Sequence, residues 1–313
     1  MKNRLVLVVN RRSSGYALVE KKIIRYIDGL NLSEKQRQTY EIEPTNPLDN
    51  AKKMAKILQN NDIVLVAGGD GTAHIATNAI IISGKTGIKI KYTGFGNFND
   101  YAHSFSRNHY KACIRALDEQ QSKYSVKPLE LSINGEFYRY IPLYATVGLT
   151  AEMAEIFEHP RIRGALKKTP GRNSRLALSL LAATRFYFNH RKEKDIHVEK
   201  IKINGESVRV NPKITDLVFM NGPRMARIMR SQANKKAPEK FGFAALDSGK
   251  IIKNLPFLVK GLFGFIPLKT AHEVEIILEK PQNLQIQIEG ESTKLKNIKN
   301  ISIRQIEQKI HIL

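Results

Sequence analysis

VAGGDGTAHIA, residues Val66 to Ala76, places three glycines and one carboxylate between an apolar run that reads as a buried strand and a segment with helical spacing. The run Ile63 to Ala67 ends where Gly68 begins, and the helix is predicted from about Thr72 to Ile82. In an open α/β sheet, ligands collect beyond the carboxyl ends of the strands, where the backbone N–H groups of a turn and a helix N-terminus converge. Gly68, Gly69 and Gly71 let a phosphate approach that backbone without meeting a Cβ. Asp70 is out of place as an anion ligand. It makes sense if a divalent cation is held between it and a polyphosphate, directly or through water.

Working outward, the first third of the chain alternates in type. LVLVVN (Leu5 to Asn10), QTYEIE (Gln38 to Glu43), IVLVA (Ile63 to Ala67) and IKIKYTG (Ile88 to Gly94) read as strands. Between and after them lie helix-period segments at 17–30, 47–58, 72–82 and about 109–120. Short apolar runs separated by helices signify a parallel sheet covered on both faces, and hence an α/β domain. From Tyr124 the texture changes to short alternating runs, with Asn134-Gly135 and Asn204-Gly205 as hairpin turn signals. The expectation is therefore a nucleotide-binding α/β domain over 1–123, joined by the last strand at about 300–313. A mostly antiparallel β-sandwich domain over 124–299 would carry a helical insertion at about 174–189.

The composition bounds the function. With 42% apolar and 26% charged residues over 313 positions, the chain has the makeup of a folded globular protein. Its single cysteine, Cys113, excludes an internal disulfide framework and a cysteine-based zinc site, and fits a reducing compartment. The five apolar residues Leu5 to Val9 are too few for a signal-peptide core, so a cytoplasmic location is expected. Fifty-one Lys and Arg against twenty-nine Asp and Glu give a net charge of +22, which draws anionic partners. Nucleic acid is not expected, because no helix-turn-helix signal, zinc-finger spacing or aromatic RNA-binding motif occurs.

GGDGT (Gly68 to Thr72) resembles the signature of the superfamily of diacylglycerol, sphingosine and bacterial lipid kinases, shared with NAD kinases. VNRRSSG (Val9 to Gly15) is similar to the NPxSG element of the lipid kinases. GFGNFNDYAHS (Gly94 to Ser104) is similar to their PxGTxNDFAR, keeping Gly96, Asn99, Asp100 and Ala102. QIEGEST (Gln287 to Thr293) resembles their DGE turn, and AALDSGKI (Ala244 to Ile251) their LDDGxL stretch. The resemblance implies an ATP-dependent lipid kinase, with diacylglycerol as acceptor and ATP and Mg²⁺ as cofactors. It implies that ATP lies over Gly68, Gly69, Asp70, Gly71 and Thr72, with Asn10, Thr45, His74, Asn97, Asn99 and Asp100 nearby. Asp70 would hold Mg²⁺ through water, Glu291 would be the general base, and Asp247 would be what remains of a structural metal site.

Several positions depart from the pattern. The lipid kinases continue GGDGT with xNEV, where this chain has His74 and Ile75; Asn97 stands for a threonine, and Ser248 for the second acid of LDDG. A catalytically impaired nucleotide- or lipid-binding protein and an NAD kinase-like enzyme are therefore the alternatives. Between Arg161 and Lys194 ten Lys or Arg against one acid bracket the apolar stretch Leu176 to Phe188, too short to span a bilayer. A basic collar of this kind suits peripheral association with an anionic membrane surface, where the lipid substrate resides. An exposed strand edge leaves a homodimer open.

Overall fold

The computed structural model describes residues 3–13, 15–95, 99–105, 124–152, 195–225, 229–230, 239–248 and 268–313, with Gly164, Leu178, Leu181, Arg185 and Asn254. The expected helix at 109–120, most of the insertion at 174–189, and Asn97 lie outside the described residues.

The first sheet is built from β1 (Leu5–Val9), β2 (Arg37–Glu41), β3 (Ile63–Gly68), β4 (Lys89–Gly94), β5 (Tyr124–Val126) and β18 (Ile310–Ile312). Its order is β2-β1-β3-β4-β18-β5, parallel throughout except that β5 runs against β18. β1 and β3 are buried along their whole length because successive side chains go to opposite, equally apolar faces. Leu5, Leu7, Ile63 and Leu65 meet Val19, Ile23 and Ile27 on one face. Those three come from a helical segment made of α1 (Tyr16–Val19), a π-type turn at Glu20–Ile24 and α2 (Arg25–Asp28). Val6, Val8, Val64 and Val66 meet α3 (Pro47–Ile57) and α4 (Asp70–Ser83) on the other face. α3 starts sharply because Pro47 opens it and Asn46 Oδ1 accepts from Leu48 N–H at 2.8 Å.

The second sheet has ten antiparallel strands. β6 (Leu129–Ile133) and β7 (Glu136–Ile141) form the first hairpin, followed by β8 (Tyr144–Gly148), β9 (Ile196–Ile203), β10 (Glu206–Val208) and β11 (Lys213–Met220). β14 (Phe241–Asp247), β15 (Lys269–Ala271), β16 (Glu273–Ile288) and β17 (Glu291–Gln305) complete it, in the order β10-β9-β11-β8-β16-β17-β6-β7 with β14 and β15 joined through β11. Two further strands, β12 (Arg224–Met225) and β13 (Met229–Arg230), pair with each other. Asn134-Gly135 and Asn204-Gly205 sit at positive φ at the predicted hairpin turns. The fold class read from the sequence is the one observed, an α/β domain and an antiparallel β domain.

The domain limits shift at both ends. Tyr124–Val126 belongs to the first sheet as β5, and residues up to Gln305 stay in the second, so only β18 returns. The physical reason is that the short strand β18 needs two neighbours, and β4 and β5 supply them.

The two domains share an apolar core. Leu143, Tyr144, Val218, Met220 and Leu246 pack in the same cluster as Ala73, Ala76 and Ile80 of α4. α4 is therefore apolar nearly all round, as a helix lodged between the sheet and the second domain must be. One glycine of the second sheet has no substitute. Gly148 has φ +106° and a Cβ there would stand 2.3 Å from the Thr215 carbonyl oxygen. Gly148→Ala is expected to cost about 2–3 kcal/mol and lower the unfolding temperature by several degrees in calorimetry.

Candidate active site

α4 begins at Asp70, two residues before the start predicted from the sequence, so Asp70 and Gly71 occupy its first turn. Gly69 is the N-cap residue and no side chain caps the helix, which leaves first-turn N–H groups available to an anion. A Cβ on Gly71 would meet nothing within 4 Å, so the backbone here faces open space. Gly68 is held differently. A Cβ on it would lie 2.6 Å from Thr72 Oγ1, because the strand end and the helix start are pressed together.

Around this turn three carboxylates gather. Asp70 Oδ1 accepts from Tyr101 N–H at 3.2 Å, at the start of the short helix α5 (Asp100–Phe105). Asp100, buried at the head of α5, accepts from Tyr144 O–H at 3.1 Å. Glu289 comes from the two-residue turn between β16 and β17 and is buried. It accepts from Leu143 N–H at 2.6 Å and from the Tyr101 hydroxyl, and lies 2.9 Å from His74 Nδ1. Desolvation raises the Asp70 carboxyl to about 7, with Asp100 and then Glu289 adding to the rise against the backbone hydrogen bonds. Burial, with Glu289 next, pushes Tyr101 well above its ordinary value; burial, with Asp100 next, does the same to Tyr144. Both phenols therefore act as O–H donors.

His74 is a buried hub. Asn78 Nδ2 lies 3.3 Å from His74 Nε2, and an amide nitrogen can only donate. That assigns the proton to Nδ1, which donates to Glu289. Asn78 also exchanges hydrogen bonds with the Tyr140 backbone on β7, tying α4 to the second domain. Ile75 is buried in the shared apolar core, so its side chain belongs to packing.

The remaining expected residues are scattered around this centre. Asn10 follows β1 and its Oδ1 accepts from Arg12 N–H at 3.1 Å, while Thr45 Oγ1 accepts from Asn50 Nδ2 at 2.9 Å; both loops follow strands of the first sheet. Asn99 sits at φ +57° just before Asp100. Glu291, expected as the general base, is held by an arginine. Its Oε2 pairs with Arg139 Nη1 at 2.7 Å, and among the described residues it makes no hydrogen bond or ion pair to the Asp70 cluster. Glu289 is the acid of that turn which reaches the cluster. Sequence reasoning passed over it, although a glutamate preceding glycine in a hairpin turn, where asparagine or aspartate is preferred, was a usable signal. Asp247 pairs with Ile214 at the far end of β11, six strand residues or roughly 20 Å from Met220 in the shared core. It accepts from Asn211 Nδ2 at 2.6 Å and takes no part in the site.

Among the described residues no three of His, Cys, Asp and Glu group to cage a metal ion. The donor set suits Mg²⁺ held otherwise, by one carboxylate with water and substrate phosphates completing the shell. A carboxyl raised to about 7 by burial and two neighbouring acids is one that a divalent cation stabilises.

Residues 4–128 match the sequence profile of the diacylglycerol kinase catalytic domain. No curated protein sequence matches the chain. Three solved structures described as a diacylglycerol kinase from Bacillus anthracis str. Sterne, two of them only provisionally, align with TM-scores of 0.63 at 16% identity. They span 99–100% of this chain and 98% of theirs. At that identity they speak to the fold, and they share it from end to end. Over residues 4–128 the chain thus resembles the diacylglycerol kinase catalytic domain in sequence, and over its whole length it shares the two-domain fold of those solved structures.

Proposed function

We propose that this protein is an ATP-dependent lipid kinase that moves the γ-phosphoryl of ATP to the hydroxyl of diacylglycerol, giving phosphatidic acid. The observation that carries the proposal is the meeting of Asp70 and Asp100 with the β16–β17 turn at the uncapped start of α4. Phosphoryl transfer asks a protein for positioning and charge neutralisation more than for covalent chemistry, and these parts supply both.

In this reading the N–H groups of Gly69 to Thr72 hold the phosphates, with Asn10 and Thr45 at the neighbouring loops and Asn97 and Asn99 beyond β4. Asp70 would hold Mg²⁺, which when bound would offset the charge of the phosphate oxygens. Glu291, one-third exposed, takes the proton of the acceptor hydroxyl, and the Arg139 guanidinium fixes its direction. The residues at 74 and 75 have structural roles of their own. His74 is engaged with Glu289, and Ile75 fills the core where a carboxylate would be unsatisfied.

The acceptor is met at an anionic membrane surface in the cytoplasm. No helix of the described residues is long and apolar enough to cross a membrane. Leu178, Leu181 and Arg185, spaced as on one helix face, are exposed, and the flanking sequence is strongly basic. Each Lys or Arg near such a surface contributes about 1 kcal/mol.

The test incubates the protein with γ-labelled ATP, Mg²⁺ and a total lipid extract, with diacylglycerol vesicles and NAD in parallel. Label entering phosphatidic acid is the expected result. Label entering NAD, or no lipid labelled at all, overturns the proposal.

A further inference from the structure

Glu289 is held in a conformation that a glutamate does not favour. Its φ is +52°, and every other non-glycine residue at positive φ among the described ones is an asparagine. A left-handed residue with a full side chain costs about 1 kcal/mol or more and persists where its surroundings over-determine it. The surroundings here are specific. Three donors converge on one buried carboxylate from three separate elements: His74 from α4, Tyr101 from α5, and Leu143 N–H from the link into β8. The β16–β17 turn is thereby pinned to the second turn of α4 and the first turn of α5, the helices that carry Asp70 and Asp100.

The His74 imidazole and the Glu289 carboxylate touch and are both buried, so a change at either is felt at the other. The imidazole is oriented in turn by Asn78, which is fixed to β7 through the Tyr140 backbone. Nothing in this chain of contacts is free to slide without breaking a buried hydrogen bond.

We infer that His74 and Glu289 are a positioning pair that sets where the β16–β17 hairpin stands over the phosphate loop, and thereby where Glu291 stands for proton transfer. The inference rests on the kinase reading above for its kinetic consequence, while its structural half stands alone. Glu291 lies two residues beyond Glu289, at the first position of β17, so the pinned turn fixes its backbone directly. Displacements of about 1 Å at a reacting centre cost on the order of a hundredfold in rate.

The test uses the full chain with diacylglycerol-containing vesicles and measures kcat and the KM for ATP. Glu289→Gln is expected to lower kcat by about 10- to 100-fold while moving the KM for ATP by less than about threefold, since the phosphate loop itself is untouched. His74→Asn alone is expected to lose about tenfold, and the double variant His74→Asn/Glu289→Asp to recover to within about threefold of the parent protein. A double variant whose loss is the product of the single losses, or a Glu289→Gln protein with unchanged kcat, overturns the inference. Should Glu289→Gln fail to fold, Glu289→Asp carries the same comparison. If the parent protein phosphorylates no lipid, the kinase reading falls, and hydrogen exchange decides the pair. Glu289→Gln must then accelerate exchange together in residues 284–296 and in the first two turns of α4; acceleration in the hairpin alone overturns the pairing.

Discussion

Asp70→Asn is expected to lower phosphoryl transfer by on the order of a thousandfold, since it removes the charge that faces the metal and the phosphates, and to make the protein more stable at pH 8. The second effect follows from the raised carboxyl. The folded protein keeps the Asp70 proton up to about pH 7, whereas the unfolded chain releases it near pH 4. Between those values the native state binds more protons, so stability falls as pH rises, and above pH 7 the whole penalty is present. An asparagine carries no such penalty. Its advantage over the parent protein should be on the order of 1–2 kcal/mol at pH 5 and up to about 4 kcal/mol at pH 8. Calorimetry at the two pH values checks this. An advantage that does not widen with pH would place the cost of Asp70 somewhere other than its buried charge.

Glu291→Gln is expected to lower kcat by about 10²- to 10⁴-fold, the range of a general base, with little change in affinity for ATP. Structure enters here as well, because Arg139 is nearly buried and loses a charged partner. The two contributions separate on comparison with Arg139→Gln. That variant leaves the Glu291 carboxylate in place, and it should retain more than about a tenth of the rate while sharing much of the loss in stability. If Arg139→Gln is as inactive as Glu291→Gln, the carboxylate is not the proton acceptor.

How much of this was legible in the sequence depends on how local the determining contacts are. β1 and β3 were readable because strands buried on both faces must be continuous apolar runs. The Asn-Gly hairpins were readable because that dipeptide suits two consecutive residues at positive φ. α5 was missed, since six residues are too few to show a helical period. β16 was read as two pieces because Pro281 breaks the pattern. The chain carries the strand through it where the register with β17 shifts, which is where a strand tolerates proline.

The site was half legible. The glycines and Asp70 announce themselves in five consecutive residues, but the partner of His74 stands 215 positions away. Which of two glutamates in a turn reaches across a domain boundary depends on backbone handedness at a single residue. No spacing rule encodes that choice.

β18 has a consequence for how the protein is made. It stands between β4 and β5 in the first sheet, and Leu313 adds backbone pairing to Ile90 and accepts from Lys91 Nζ at 3.0 Å. A ribosome emits β4 more than two hundred residues before the strand that covers its open side. Through that interval the nascent chain holds an unpaired edge while an entire β domain is synthesised and must find its own register. Folding of the α/β domain is therefore expected to finish only after the β domain has been synthesised, and to be slow, chaperone-sensitive and vulnerable to strand exchange between neighbouring copies.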